Sequence, residues 1–425
     1  MNGKSPRVIV VGGGAAGLMA AGRAADLGAQ VTLLEKTPRV GNKLRLTGNG
    51  RCNLAHWGGI ADFLAHVPRN GSFLHNSLAR FFVQDLRSLL SSLGLPTVVE
   101  PDGRVFPATN RASDVVATLL GYGLSHGVRV HYGAAVAEIL HSEGLVCGVR
   151  LADGQIVGGD AVILATGGCS YPQTGSTGDG YLLAERLGHT IIPLRPGLVP
   201  LVAGEQLTTD LQGISISEVR ATLYQGERRI ATTSGEILFA HFGLSGPAIL
   251  SLSLLAEEAL ATGPCRLSLD LVPSWNEARL DQHFQQALAG AGKSGYHALL
   301  RGFMPHALAD EAAARCGIRS AQTMSQLTAL QRAQLCRICK GFEITLSGTR
   351  PIREAMITLG GVSTKEVHPM TMASRLVCGL YFAGEVLDVA GDTGGYNLQI
   401  AFTTGYIAGE SAAQALQNTK DSTES

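Results

Sequence analysis

An uninterrupted apolar run of β-branched residues, Val8-Ile9-Val10-Val11, sets the first element, a strand covered on both faces. Gly12-Gly13-Gly14-Ala15-Ala16-Gly17 follows at once, and Leu18 to Leu27 has helical composition ending at Gly28. Val31-Thr32-Leu33-Leu34 predicts a second strand, with Glu35 at its carboxyl end. Ala161 to Leu164 is another buried strand, running into Ala165-Thr166-Gly167-Gly168; Thr177-Gly178-Asp179-Gly180 then opens a helix through Leu187. Near the end, Leu380-Tyr381-Phe382 is a strand leading to Gly384-Glu385, and Gly394-Gly395-Tyr396-Asn397-Leu398-Gln399 opens a helix toward Ala413. Between these, 198–269 alternates like strands (Ala221 to Tyr224, Ile237 to Phe239). Residues 271–339 carry helical patterns (Leu280 to Leu288, Ser325 to Cys339), and Gly341 to Leu346 returns to strand.

The opening run has a chemical reading. In G-x-G-x-x-G after a strand, Gly12 permits the tight turn, Gly14 lets backbone approach a pyrophosphate, and Gly17 lets helix pack on strand. The helix N-terminus offers free N–H groups and positive potential to phosphates, and Ala15 and Ala16 of the glycine run are counted with the cofactor-binding residues. Glu35, 18 residues after Gly17, is placed to accept hydrogen bonds from a ribose diol. No second glycine fingerprint exists, so a nicotinamide would visit rather than reside.

Composition narrows this picture. Of 425 residues, 54 are glycine, nearly twice the usual share, which fits many close backbone approaches. Formal net charge is zero, so no global field draws the chain to nucleic acid or an anionic membrane. No apolar stretch reaches the length of a membrane span. Lys4 and Arg7 before small apolar residues imitate a secretory signal, but three consecutive glycines and then Arg23 and Asp26 argue against one. Eight scattered cysteines fit reduced thiols, and a cytoplasmic location is expected. Cys336-x-x-Cys339 lacks a second pair or a suitable His, so no metal site is expected and its redox role stays open.

The polar, glycine-dense segment Gly41 to Asn53 (GNKLRLTGNGRCN) follows the acidic residue, where a simple NAD domain has no need of it. A longer ligand lying across the sheet edge does. Together with GGGAAGLMAA, ATGG, TGDG and FAGEVLDVAGDTGGYNLQIAFTTG, this segment resembles the BaiN/RdsA-like, aminoacetone-oxidase-like FAD flavoproteins over essentially the whole chain. The resemblance implies an α/β chain with a split Rossmann-type FAD-binding domain (1–193 and 371–425). A β-rich insert (194–270 and 340–370) would itself carry a helical insert (271–339). It also implies that Gly12, Gly14, Gly17, Glu35 and Lys36 hold the ADP half of FAD. Lys43, Leu44, Thr47, Arg51, Asn53, Glu385, Asn397 and Leu398 would line the ribityl and ring half. Gly50, Cys52, Val136, Ala165, Thr166, Gly167, Gly168, Asp179, Gly384 and Gly395 complete the expected cofactor set. Where many related flavoproteins carry Gly-Asp this chain has Gly384-Glu385, so Asp388 is a candidate to share the ribityl contact.

Candidate catalytic residues are Arg51, Cys52 and Tyr396, with Tyr171 and Asp392 behind them. Cys52 reads as a proton donor or, preferably, as a small packing residue in a tight loop. The leading expectation is hydride transfer from a transient NAD(P)H, through flavin N5, to an activated C=C bond of a small molecule. The alternatives are reduction of uridine to dihydrouridine in ribosomal RNA, oxygen-dependent oxidation of a small amine such as aminoacetone, and a flavin-binding regulator without turnover. Between Arg315 and Lys340, Arg315, Arg319, Arg332, Arg337 and Lys340 face no acidic residue in sequence. That stretch reads as a solvated helix face or as an RNA phosphate footprint.

Overall fold

The first apolar run becomes β1 (Arg7–Val11), the middle strand of a five-stranded parallel sheet. One neighbour is β2 (Gln30–Glu35); the other is Ala161–Leu164. Arg129–Tyr132 and Leu380–Phe382 form the two edges. Val8 to Val11 are almost fully buried, which is why the run contains no polar residue. The computed structural model describes residues 5–205, 209–289 and 294–421, with side chains to 415. It divides into Met1–Arg195 with Ile352–Ser425, and Pro196–Pro351.

In the first unit, helix α1 (Ala15–Asp26) starts three residues before the expected Leu18, because the glycine turn is complete at its N-cap, Gly14. The C-terminal helix Tyr396–Asp421 lies against α1 at backbone contact. A Cβ on Gly405 would stand 2.4 Å from the Ala16 carbonyl oxygen, and one on Gly409 2.4 Å from that of Ala20. This spacing of four on one helix face is a packing signature that periodicity of apolar residues does not reveal. Two three-stranded antiparallel sheets also belong to the unit. One joins Val136–Ser142, Leu145–Leu151 and Ile156–Gly158; the other joins Ala55–His56, Arg104–Pro107 and Thr97–Val99. Strand Ile357–Val362, buried at every position, pairs with the strand beginning at Ile191.

The second unit is a closed six-stranded barrel with antiparallel pairings. Its long hairpin, Ser215–Gln225 and Arg228–Ala240, contains both alternating segments foreseen in the sequence. Helix Pro247–Thr262 buries half of its residues and shares a core with Leu223, Phe239, Leu267 and Ile344. Helices Glu277–Ala289, His306–Arg315 and Ala329–Lys340 lie between two neighbouring barrel strands in sequence. Their buried residues Phe284, Leu308 and Leu335 join the same core. The helical pattern from Ser325 is broken at Thr328, whose hydroxyl accepts the Gln331 N–H (3.1 Å) and starts the last helix there. The chain is therefore α/β, a Rossmann-type sheet with an additional β-rich domain.

Candidate active site

At the carboxyl end of β1 the backbone turns on Gly12, whose φ of +101° is left-handed territory that glycine adopts freely. Gly12 N–H donates to the Leu34 carbonyl (2.8 Å), tying the turn to β2. A Cβ on Gly17 would lie 1.8 Å from the Gly12 carbonyl oxygen, so this position holds helix against turn. A Cβ on Gly14 would meet nothing within 4 Å. The glycines divide in role: Gly12 and Gly17 are needed for internal packing, and Gly14 borders open space where α1 begins. The first-turn N–H groups of α1, from Ala15 to Gly17, have no partner within the helix and keep their positive potential.

Glu35 is fixed beside this turn. Its Oε2 accepts the Gly13 N–H (2.8 Å), and its Oε1 accepts Thr37 N–H and Oγ1–H (both 2.8 Å). Lys36 pairs with Asp179 (2.5 Å) and donates to the Thr177 hydroxyl. Burial works to raise the Asp179 carboxyl, but hydrogen bonds from Lys36 and Thr177 hold it below its ordinary value. The TGDG segment thereby closes one side of the cradle. Val136 stands at the start of its strand, half-buried.

A second cluster forms at the carboxyl ends of Ala161–Leu164 and Leu380–Phe382. Glu385 accepts from Lys43 at both oxygens (3.0 and 2.7 Å), and its Oε1 also takes the Thr358 N–H (2.8 Å) and the Ser170 hydroxyl (3.2 Å). Lys43 also donates to Ser170 (2.6 Å). Glycine at 168 is required here, since a Cβ would stand 2.3 Å from Thr358 Oγ1. Gly384, at φ +76°, donates its N–H to Thr404 (2.9 Å) and would crowd Ala16 with any side chain. Ser170 and Thr358 carry no signal in the sequence, since both are isolated small polar residues with no motif of their own. Asp388 is engaged elsewhere: it pairs with Arg69 (2.5 Å) and accepts from Asn70 (2.9 Å).

The loop from Leu44 to Asn53 is held in unusual backbone. Gly48, Asn49 and Cys52 have φ of 57°, 54° and 64°, and Thr47 Oγ1 donates to the Leu44 carbonyl (2.7 Å). Leu44 is buried, whereas Gly50 is exposed with open space at its Cβ position. Cys52 has no exposed surface, and burial pushes its thiol up to about 12. It is a core residue in this geometry. The Arg51 guanidinium lies over Phe106 (3.9 Å) and is bonded to Asn110 (2.9 Å) and Glu100 (2.5 Å), which fixes it on the small antiparallel sheet.

The start of the C-terminal helix completes the site. Gly394 and Gly395 have φ of 119° and 105°, and a Cβ on Gly395 would stand 2.5 Å from the Ala55 carbonyl. Asn397 holds the preceding turn, accepting from Gly391 N–H (2.9 Å) and donating to its carbonyl (2.7 Å). Leu398 is half-buried beside it. Tyr396 is buried among His56, His66 and Phe63, with burial raising its phenol to about 12.

These elements fit a bound dinucleotide. Buried Asn53 Oδ1 and Thr166 Oγ1 have no hydrogen-bond partner, and an interior acceptor or hydroxyl left so is costly unless a ligand serves it. Together with the open space at Gly14 and the two helix N-termini, they mark where an elongated polar ligand can lie.

The basic stretch of the second unit is quenched in space. Arg315 bonds Glu311 (2.9 Å) and the Glu343 carbonyl (2.7 Å), Arg332 bonds Asp281 (2.7 Å), and Lys340 pairs with Asp270 (2.8 Å). Arg319 and Arg337 stay exposed with no carboxylate partner among the described residues. Cys336 and Cys339 are buried on the last helix, and burial drives both thiols upward, Cys336 to about 12. No described helix is long and apolar enough to cross a membrane.

Residues 6–411 match the family described as HI0933-like protein Rossmann domain. The chain is 34% identical to a 3-dehydro-bile acid delta(4,6)-reductase of Clostridium scindens, covering 96% of this chain and 99% of that one. It is 31% identical to a ribosomal RNA dihydrouridine synthase of Haemophilus influenzae, over 94% and 96%. Among solved structures it resembles the open conformation of a flavocytochrome c3 fumarate reductase. That match has a TM-score of 0.51 at 18% identity, over 97% of this chain and 78% of the other, a likeness of fold alone. The chain belongs to the HI0933-like Rossmann family of BaiN/RdsA-like flavoprotein oxidoreductases.

Proposed function

We propose that the chain binds FAD along the cradle just described and uses NAD(P)H to reduce an activated C=C bond of a small molecule in the cytoplasm. The observation that carries this reading is a single dinucleotide cradle leading into the Lys43–Glu385 cluster. It occurs in a chain two of whose relatives are named for saturating such bonds, in a bile acid and in a uridine. FAD would supply two-electron chemistry between the nicotinamide and the acceptor. The protein's part is to hold, orient and protonate. The α1 N-terminus and Gly14 would receive the pyrophosphate and Glu35 the ribose, while Lys36 and Asp179 close the edge. Lys43 and Glu385, locked to Ser170 and Thr358, would fix the ribityl region, and Asn53 and Thr166 would satisfy their buried atoms on the ligand.

A small-molecule acceptor is favoured over ribosomal RNA because three of the five basic residues in the candidate footprint are already paired. Anaerobic mixing of the purified holoprotein with NADPH or NADH tests the proposal. Bleaching of the flavin absorbance by one of them is expected; persistence of the oxidised spectrum with both would refute a nicotinamide donor.

A further inference from the structure

The residues from His66 to Asn70 run beside the loop that leads into the C-terminal helix. Asp392 N–H donates to the His66 carbonyl (2.8 Å), Arg69 and Ala390 form a β-bridge, and Arg69 and Asn70 bind Asp388. These contacts fix the two segments without help from the His66 ring. Yet His66 Nδ1 also meets Asp392 Oδ2 at 2.8 Å, on an imidazole whose side chain is 51% exposed. The carboxylate takes Nδ1–H, leaving Nε2 without a hydrogen bond among the described residues. The ring packs nearly parallel to Tyr396, 4.8 Å between centroids, at the first turn of the C-terminal helix. His56 lies 6.4 Å away, stacked on the same tyrosine. A carboxylate that orients one imidazole nitrogen while the other faces solvent is the arrangement of a general acid or base. Asp392 lies on the connection that leaves the carboxyl end of Leu380–Phe382, where ligands of such folds bind, and His66 is held against it.

We propose that His66 is the proton donor to the acceptor carbon, with Asp392 as its positioning residue. The inference rests on the C=C reductase reading. In the step, a hydride equivalent originating in NAD(P)H forms a C–H bond at the β carbon of an enone and the C=C π pair moves toward the carbonyl. His66 Nε2–H then gives its proton to the α carbon, the N–H bond breaks and the neutral imidazole is reprotonated from solvent. One nicotinamide is oxidised and one C=C reduced, with one proton consumed. The charged or titratable groups around the ring are Asp392, Tyr396 and His56; Asp62 acts on Tyr396, and Asp102 and Arg104 act on His56.

The test uses the holoprotein and two probes. Dithionite-reduced enzyme is mixed anaerobically with 2-cyclohexenone across pH, and oxidised enzyme is titrated with 4-chlorophenol, whose phenolate mimics an enolate. His66→Gln should keep its flavin spectrum and its reduction by nicotinamide. Its reoxidation by the enone should slow about 10²-fold and lose the alkaline fall of the wild-type pH profile. Phenolate binding should weaken about 10-fold, the scale of a lost charge-assisted hydrogen bond. Asp392→Asn should slow reoxidation less than His66→Gln does, and Asp392→Glu should recover part of that loss. Wild-type rates, pH profile and phenolate affinity in His66→Gln would overturn the proposal. Wild-type enzyme that ignores the enone yet binds phenolate through His66 would overturn the C=C reading while leaving His66 the proton-bearing group of the site.

Discussion

Two stretches of this chain can attract a phosphate, and they draw their positive potential from different sources. At Gly12–Gly17 it comes from unpaired backbone N–H groups at the start of α1, with no cationic side chain required. At 315–340 it comes from five side-chain charges, three of which the fold cancels with Glu311, Asp281 and Asp270. Backbone dipoles cannot be neutralised by a rotamer change, whereas long cationic side chains find partners wherever carboxylates lie within reach. A cradle built from turns is thus a surer sign of a phosphate site than a run of arginines. Substitutions that separate packing from ligand space, and ligand space from charge, test the contrast.

The largest effect is expected from Gly17→Ala set against Gly14→Ala. Helix propensity alone favours alanine over glycine by about 1 kcal/mol at an interior position. At Gly17 the added Cβ would sit 1.8 Å from the Gly12 carbonyl, so turn and helix must separate. Gly17→Ala should lose about 1–3 kcal/mol of stability, the usual range for overpacking, and purify without flavin. Gly14→Ala has open space at its Cβ and should melt as the wild type does in the absence of flavin, while binding FAD more weakly. Thermal melts of the apoproteins and flavin titration check both. A Gly14→Ala protein with undiminished FAD affinity would place the pyrophosphate elsewhere.

Next in size is Glu35→Gln. Its two oxygens accept from Gly13 and Thr37, so the amide can keep only part of that network, and a ribose diol would lose a charged acceptor. A hydrogen bond to a charged group contributes about 1.5–3 kcal/mol, which predicts FAD affinity weaker by roughly 10- to 100-fold. Equilibrium dialysis or fluorescence titration measures it; an unchanged Kd would remove Glu35 from the ribose site.

The parts of this site that sequence discloses are those coded locally. The strand, glycine turn, helix, strand and acidic residue fall within 7–35, and each leaves a mark in hydrophobic pattern or glycine spacing. The closing strand Leu380–Phe382 and the glycines before Tyr396 are legible for the same reason. Contacts between distant positions leave no such mark. Lys43 and Glu385 are 342 residues apart, and Ser170 and Thr358 join them only when three strand ends converge. His66 and Asp392, 326 residues apart, carry no periodic signal at all. Strands of two to four residues, such as Ala55–His56 and Thr97–Val99, are too short to show an alternation. The charge run misleads in the opposite way. It contains no acid in sequence, but Asp270 and Asp281 reach it in space and Glu311 lies one helical turn before it.

The smallest effect is expected where the comparison leaves charge unpaired. Arg319 and Arg337 are exposed and have no carboxylate partner among the described residues, so they are what remains of the basic footprint. If the second unit does not bind RNA, the double substitution Arg319→Gln with Arg337→Gln should change stability by less than about 0.5 kcal/mol, as surface changes commonly do. Weak retention of a ribosomal RNA fragment at low salt should change little. If the two arginines contact phosphates, each loss would weaken binding and flatten its dependence on salt by about one counterion. The slope of log affinity against log salt, measured for wild type and double variant, decides between these. A fall of about two in that slope would restore the second unit as an RNA-binding surface and end the contrast with the N-terminal cradle.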